Sequence, residues 1–260
     1  IFVFEKKICD YVPEPVKRNL ENDVIKGMLE AGEPIYGYCS PEYVKDVGTV
    51  ERVNQTLADI ERGVIAGKCL KNKQRCIFMD RDGTINQYKG LVYKGEDFTL
   101  EDCAVDAIRK INQSGRLGIV ITNQPVVARG LCEIEDVENI HKKMETLLGK
   151  EGVFLDDVFY CPHHPDKGYP EENPAYKTPC ECRKPKTGMI QKAAERYNID
   201  LAGSWMIGDT TMDIQTGINA GMRTALVQTG EAGNDKKYDV KPDLVCRDLL
   251  DAVEKILQVD

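Results

Sequence analysis

No run in this 260-residue chain approaches the roughly 18–20 consecutive apolar residues of a membrane span, and no charged-then-apolar leader opens it. Excess positive charge is also missing. Lys and Arg number 35 against 43 Asp and Glu, a net charge of −8. A general nucleic-acid binder would need a basic face to neutralise phosphates, so none is expected as a partner. Internal repeats and low-complexity segments are absent as well. Apolar residues at 42% and charged residues at 30% suffice for a packed core. These absences lead to the expectation of a cytoplasmic protein with no membrane partner. Ile rather than Met at position 1 leads to the expectation of a fragment or a processed chain. Ten cysteines suggest a disulfide set, but their spacing does not. Cys9, Cys39, Cys69, Cys76, Cys103, Cys132 and Cys246 are scattered through apolar segments, where a reduced thiol packs as a small hydrophobe. Only Cys161, Cys180 and Cys182 cluster, which reads as metal binding.

Two unequal parts follow from the patterning. Residues 1–66 read as a small α+β segment. A strand is expected at Ile1–Phe4, a helix near Val24–Ala31 and a short strand near Pro34–Tyr38. A second helix follows Thr49, its N-cap, with Val50, Val53, Leu57, Ile60 and Val64 at helical spacing. The basic stretch 67–75 reads as a linker. Residues 76–258 alternate strands and helices. The strands are Cys76–Met79, Leu117–Thr122, Val158–Cys161, Trp205–Ile207, Thr224–Val227 and Leu244–Cys246. Four apolar stripes lie between or after them. They run through Val105, Ile108 and Ile111; Val137, Ile140, Met144 and Leu147; Ile190, Ala193, Ala194 and Tyr197; and Leu250, Val253 and Leu257. Such alternation implies an α/β fold, a parallel sheet doubly wound by right-handed crossovers. Ligands then sit at the carboxyl ends of the strands.

The residues at those ends carry chemistry. The first strand runs into Asp80-Arg-Asp82-Gly-Thr84, two acids that repel each other unless a cation is bound. The second ends in Thr122-Asn123-Gln124, a hydroxyl and amides suited to phosphate oxygens. The fourth ends in Gly208-Asp209-Thr-Thr-Met-Asp213. Arg183-Lys184-Pro185 lies between. Acids for Mg²⁺, donors for oxyanions and a lysine together make a phosphoryl-transfer site. A DxDG alone is often a turn or a calcium loop, and a GD pair alone is often a strand-to-helix turn. Four such pieces at successive strand ends are hard to attribute to chance.

In this order, the four pieces resemble the motifs of the haloacid dehalogenase-like phosphatases over about residues 74–258. The resemblance implies Asp80 as nucleophile and Asp82 as general acid and base. It implies Mg²⁺ held by the Asp80 side chain, the Asp82 carbonyl and Asp209. Asp213 would orient Asp209 or Lys184, while Thr122, the Asn123 amide and Lys184 stabilise the transferring phosphoryl oxygens. No large cap insertion is evident, so the domain is expected to be capless. Its site would be roofed only by residues 87–98, the 161–182 loop and the start of the second helix.

Cys161-Pro-His163 and Cys180-Glu-Cys182 flank a 16-residue loop with several Pro. Three thiolates and an imidazole suit a closed structural Zn²⁺ site, with His163 chosen over His164 because similar proteins have C-x-H. This pattern resembles the D-glycero-D-manno-heptose 1,7-bisphosphate 7-phosphatases and the histidinol-phosphate phosphatases. Thr122-Asn-Gln124 and Ala128-Arg129-Gly130 resemble their TNQSGIARG stretch, with Pro125-Val126-Val127 standing in place of Ser-Gly-Ile. Gln124, Arg129 and Arg183 are then the expected substrate contacts, together with Asn123.

Residues 1–66 resemble the C-terminal end of sugar-1-phosphate nucleotidyltransferases, without their nucleotide loop. Asp46 stands where that family has a metal-binding acid and is read here as structural. The parent protein would then also carry a full-length nucleotidyltransferase domain. The resemblance to GDP-heptose guanylyltransferases implies the α anomer of a 1,7-bisphosphate substrate. The rival readings are a histidinol-phosphate phosphatase, a polynucleotide 3′-phosphatase, and a docking or dimerisation module acting through residues 1–66.

Overall fold

The computed structural model describes residues 1–12, 17–37, 40–166, 168 and 171–259. The chain divides into two compact units, Ile1–Ser40 and Pro41–Asp260. The boundary therefore falls well before residue 66.

In the first unit, a 3₁₀ turn covers Lys6–Tyr11 and a π-type turn covers Leu20–Ile25, leading into α1 (Lys26–Glu30). The Asn19 side chain caps the π-type turn by accepting from the amides of Glu21 and Asn22. The strands expected at Ile1–Phe4 and Pro34–Tyr38 do not form among the described residues, and Tyr38 itself lies outside them, as does Cys39. Phe2 and Phe4 stack on each other instead, with ring centroids 5.6 Å apart, and neither belongs to a strand. Strand propensity without a pairing partner does not make a strand. The segment is therefore helical and irregular rather than α+β.

The second unit opens with α2 (Val50–Glu61), which Thr49 caps by accepting from the Arg52 amide, and α3 (Val64–Gly67). Of the expected stripe, Val50, Leu57 and Ile60 on α2 are more than half exposed, and only Val64, which falls on α3, is buried. The stretch read as a linker is built into the fold. Lys68 pairs with Asp156 at 3.5 Å, and both side chains are buried. Gln74 exchanges backbone hydrogen bonds with Asn198 and Asp200.

From Cys76 the expected alternation holds. The sheet consists of β1 (Cys76–Met79), β2 (Leu117–Asn123), β3 (Asp157–Cys161), β4 (Trp205–Gly208), β5 (Arg223–Val227) and β6 (Leu244–Cys246). All pairings are parallel, in the order β3-β2-β1-β4-β5-β6. The helices are α4 (Ala104–Ser114), α5 (Ile134–Lys150), α6 (Gly188–Tyr197), α7 (Thr211–Asn219) and α8 (Leu249–Val259). Strand alternation sends Ile77 and Met79 to the face covered by α4, α5 and α8, and Cys76 and Phe78 to the face covered by α6. No described helix is long and apolar enough to cross a membrane. The sheet order reverses between β1 and β4, and in such sheets the crevice at that reversal is where ligands bind.

Candidate active site

Asp80, Asp82, Thr122, Asn123, Lys184, Asp209 and Asp213 come together where the chain leaves β1, β2 and β4. Lys184 is 3% exposed and lies between two acids, 2.9 Å from Asp80 and 2.5 Å from Asp213. It arrives there on a loop, not on a regular element. Asn123 anchors that loop by accepting from the Lys184 amide at 3.0 Å and donating to the Lys184 carbonyl at 3.3 Å. Burial alone would lower the Lys184 pKa, but Asp213 and Asp80 outweigh it and hold the ammonium charged. Asp213 is also the third residue of α7. It forms a capping box with Thr210, which fixes its second oxygen while the first holds Lys184.

The acids outnumber the cations. Burial first, and then repulsion from Asp213 and Asp82, push the Asp80 carboxyl up to about 7 despite Lys184. Burial, then Asp213 and Asp80, push Asp209 up to about 8. Oxygens of Asp80, Asp209 and Asp213 lie within 4.8 Å of one another. Asp209 Oδ2 accepts from the Glu231 amide at 2.7 Å, whereas Oδ1 is buried with no hydrogen-bond partner. A buried, unpartnered carboxylate oxygen facing another acid fits a divalent cation with oxygen ligands. Gly83 and Gly230, both at positive φ, close on Asp209, where a Cβ on either would fall within 2.3 Å of Oδ2.

Asp82 is held entirely by donors. Arg81 Nη2 reaches both its oxygens at 2.9 Å, Asn86 Nδ2 reaches Oδ1 at 3.1 Å, and Gln124 Nε2 reaches Oδ2 at 2.8 Å. Gln124 also donates to the buried Thr122 hydroxyl at 2.9 Å. Arg81, Asn86, His141 and the Glu231 amide had no place in the sequence reading. Arg81 stood between the two acids as a spacer, yet an arginine at a buried strand end must find a carboxylate. His141 falls four residues after Val137 on the apolar stripe of α5, which marks it as buried.

The second cluster lies beside this one in sequence and space. Cys161 Sγ is 3.5 Å from Cys180 Sγ and 3.0 Å from Cys182 Sγ, and His163 Nδ1 is 3.4 Å from Cys182 Sγ and 3.7 Å from Cys161 Sγ. Ligands ~2.3 Å from a tetrahedral zinc stand ~3.8 Å apart, so the four groups already approach that spacing. His164 faces away, accepting from the Asp166 amide through Nδ1. The intervening loop has no helix or strand among its described residues; Lys167, Tyr169 and Pro170 lie outside them. It is tied to the segment after β2 by the Asn173 amide on the Ala128 carbonyl. Arg183 donates to the His163 carbonyl at 3.2 Å. Arg129 and Arg183 are close enough to repel each other and to depress the His164 pKa, after burial as the first cause. Between β1 and α4 the loop holds a 3₁₀ turn, Gly95–Asp97, and two isolated bridges, so no cap domain is inserted there.

A doubly wound sheet with acids at its switch point and a lysine between them defines a hydrolase of the haloacid dehalogenase class, and the HAD-hydrolase-like family model matches residues 181–252. A D-glycero-beta-D-manno-heptose-1,7-bisphosphate 7-phosphatase from Haemophilus ducreyi is 37% identical over 182 residues, 69% of this chain and 97% of that one. The protein of the same name from Escherichia coli K12 is 40% identical over 156 residues, 60% of this chain and 80% of that one. The crystal structure of D,D-heptose 1,7-bisphosphate phosphatase from B. bronchiseptica, complexed with magnesium and phosphate, superposes with a TM-score of 0.63. It is 34% identical and covers 72% of this chain and all of that one. The chain belongs to the heptose bisphosphate 7-phosphatase family of HAD-like phosphoric monoester hydrolases.

Proposed function

We propose that this chain removes the 7-phosphate of D-glycero-D-manno-heptose 1,7-bisphosphate by way of an aspartyl-phosphate. The observation that carries the reading is the buried group Asp80–Lys184–Asp213 beside the unpartnered oxygen of Asp209. The Asp80 carboxylate, the Asp82 carbonyl and Asp209 are the groups that would hold Mg²⁺. When bound, the ion neutralises the acids and draws charge from the phosphoryl oxygens. Cys161, His163, Cys180 and Cys182 would hold a structural Zn²⁺, and because Cys182 adjoins Arg183 and Lys184 the same site fixes the catalytic cations.

Asp80 attacks phosphorus in line, and the bond to the sugar O7 breaks. Protonated Asp82 gives its proton to that oxygen, which leaves as the alcohol. Asp82, now a carboxylate, takes a proton from the water that attacks the acyl phosphate, releasing phosphate and free Asp80. The Lys184 ammonium, the Thr122 hydroxyl and the Asn123 amide meet the three equatorial oxygens, whose charge is their main demand. Gln124 bridges Thr122 to Asp82, so one amide aligns a phosphate donor and the acid. Arg129 and Arg183 are the groups for the distal 1-phosphate, since a guanidinium fork matches phosphate oxygens.

The curated relatives carry the β anomer in their names. That favours the β-1,7-bisphosphate over the α anomer expected from residues 1–66. The relative from H. ducreyi is spanned nearly end to end by 69% of this chain, which leaves room for a remnant of another domain, read here as that of a nucleotidyltransferase. Phosphate release across both anomers, histidinol phosphate and a 3′-phosphorylated oligonucleotide tests the proposal. A heptose bisphosphate should give the highest kcat/KM; preference for histidinol phosphate or the oligonucleotide would overturn it.

A further inference from the structure

Arg81 is fully buried, the largest side chain to be so among the described residues. Its Nη2 contacts both oxygens of Asp82 at 2.9 Å and its Nε reaches Oδ1 at 3.3 Å. On its far side, Nη1 lies 3.2 Å from His141 Nε2. A guanidinium can only donate, so this ring nitrogen accepts and the hydrogen sits on Nδ1. The imidazole is thereby a neutral acceptor. Burial, then the Arg81 charge, push the His141 pKa down to about 3, so it stays neutral throughout the working range. The Tyr160 ring packs against it with centroids 5.2 Å apart. A chain of fixed contacts thus runs from β3 through α5 and Arg81 to Asp82.

Building on the hydrolase reading above, we propose that Arg81, anchored by His141, is the positioning residue that sets the Asp82 carboxyl in the orientation for proton exchange with the leaving oxygen and the attacking water. A free aspartate rotates about two side-chain bonds, and few of its rotamers point a carboxyl oxygen at the reacting centre. A buried guanidinium on one edge and Gln124 and Asn86 beside it restrict that choice before substrate arrives. Pre-alignment of this kind lowers the entropic part of a proton-transfer barrier. His141 acts one step further back, by fixing the guanidinium plane.

A positioning role and a purely structural one differ in their dependence on the leaving group. A sugar alkoxide must be protonated as it departs, whereas 4-nitrophenolate needs no proton. For Arg81→Met, kcat with heptose 1,7-bisphosphate should fall roughly 100-fold or more, the lower end of what a general acid contributes, with KM changed by less than about threefold. The pre-steady-state burst of 4-nitrophenolate from 4-nitrophenyl phosphate, which reports phosphorylation of Asp80 alone, should keep its rate within about threefold. His141→Leu should show the same split at a smaller size, and His141→Gln, which restores an acceptor, should recover part of it. The His141 variants carry the test if Arg81→Met loses its near-ultraviolet circular dichroism. Equal losses with both substrates, or no loss in folded variants, would overturn the proposal. A wild-type chain that releases phosphate from neither substrate would overturn the hydrolase reading, and this inference with it.

Discussion

Asp80→Asn should abolish turnover and at the same time stabilise the magnesium-free protein. Asn retains the oxygen that accepts from the Arg81 amide at 2.7 Å and from Lys184 at 2.9 Å, and it removes one negative charge from a crowded, buried group. Because the folded-state pKa of Asp80 is raised from 3.8 to about 7, the native state binds this proton more tightly than the unfolded chain does. Stability is therefore fully present below pH ~4, declines as pH rises through that window, and stays reduced above pH ~7. A shift of about three pKa units is worth up to ~4 kcal/mol at ~1.4 kcal/mol per unit. Local relaxation and water entry make a gain of ~1–3 kcal/mol the working expectation, or about 2–4 °C in Tm per kcal/mol for a domain of this size. Thermal unfolding at pH 8 without magnesium should show the variant melting higher, and the gap should narrow at pH 5 and close only below pH ~4. Added Mg²⁺ should raise the wild-type Tm more than that of the variant, because only a ligand bound preferentially by the native state stabilises it. A variant that melts lower at pH 8 without magnesium would refute the electrostatic account. One that retains more than a trace of phosphatase activity would remove Asp80 as nucleophile.

Cys180→Ser should lose a tightly bound zinc, read by elemental analysis at one per chain in the parent, and most activity with it; a zinc-free parent with full activity would sink the assignment. Arg183→Ala should raise KM for heptose 1,7-bisphosphate about tenfold or more and for a monophosphate analogue much less, since losing a charge-assisted pair costs ~1.5–3 kcal/mol. Gly230→Ala should cut kcat more than a hundredfold and weaken Mg²⁺ binding in calorimetry. Its new methyl would meet Asp209 Oδ2 at 2.1 Å at a backbone φ of +59°, so the acid must move.

The parts legible in the sequence were those set by short-range rules. Six apolar runs became the six strands within a residue or two, because a strand buried on both faces needs little beyond continuous hydrophobicity. The acids and the cysteine pairs sat at fixed offsets from those runs and so could be placed at one sheet edge. Position along a helix face was harder to read. The stripe assigned to α8 through Leu250, Val253 and Leu257 is right at Val253, but Leu250 and Leu257 are only partly buried against the core, whereas Leu249 and Ile256 are fully buried in it. The stripe on α2 forms a helix face but not a core, because periodicity reports which residues share a side and not what lies opposite. Residues 1–4 failed for the complementary reason, having strand composition but no pairing strand among the described residues. Arg81 and His141 escaped because their meaning depends on a pairing across 60 positions.

The arrangement of charge explains why the two clusters stand side by side. Among the described residues Lys184 is the only ammonium paired with Asp80, and it is delivered by a loop, which lacks the rigidity of a strand or helix. Three constraints substitute for regular structure. Asn123 at the end of β2 clasps the Lys184 backbone on both its polar groups, Asp213 on α7 grips the ammonium, and Cys182 two residues earlier belongs to the thiolate cluster. Each constraint acts on a different part of the segment, so removing any one leaves the lysine tethered but misplaced. A displacement of about 1 Å is enough to cost a phosphoryl-transfer site a hundredfold. A zinc held by that cluster, as proposed above, would govern the rate without touching substrate, and its loss should lower kcat through Lys184 even where the sheet and its acids remain intact.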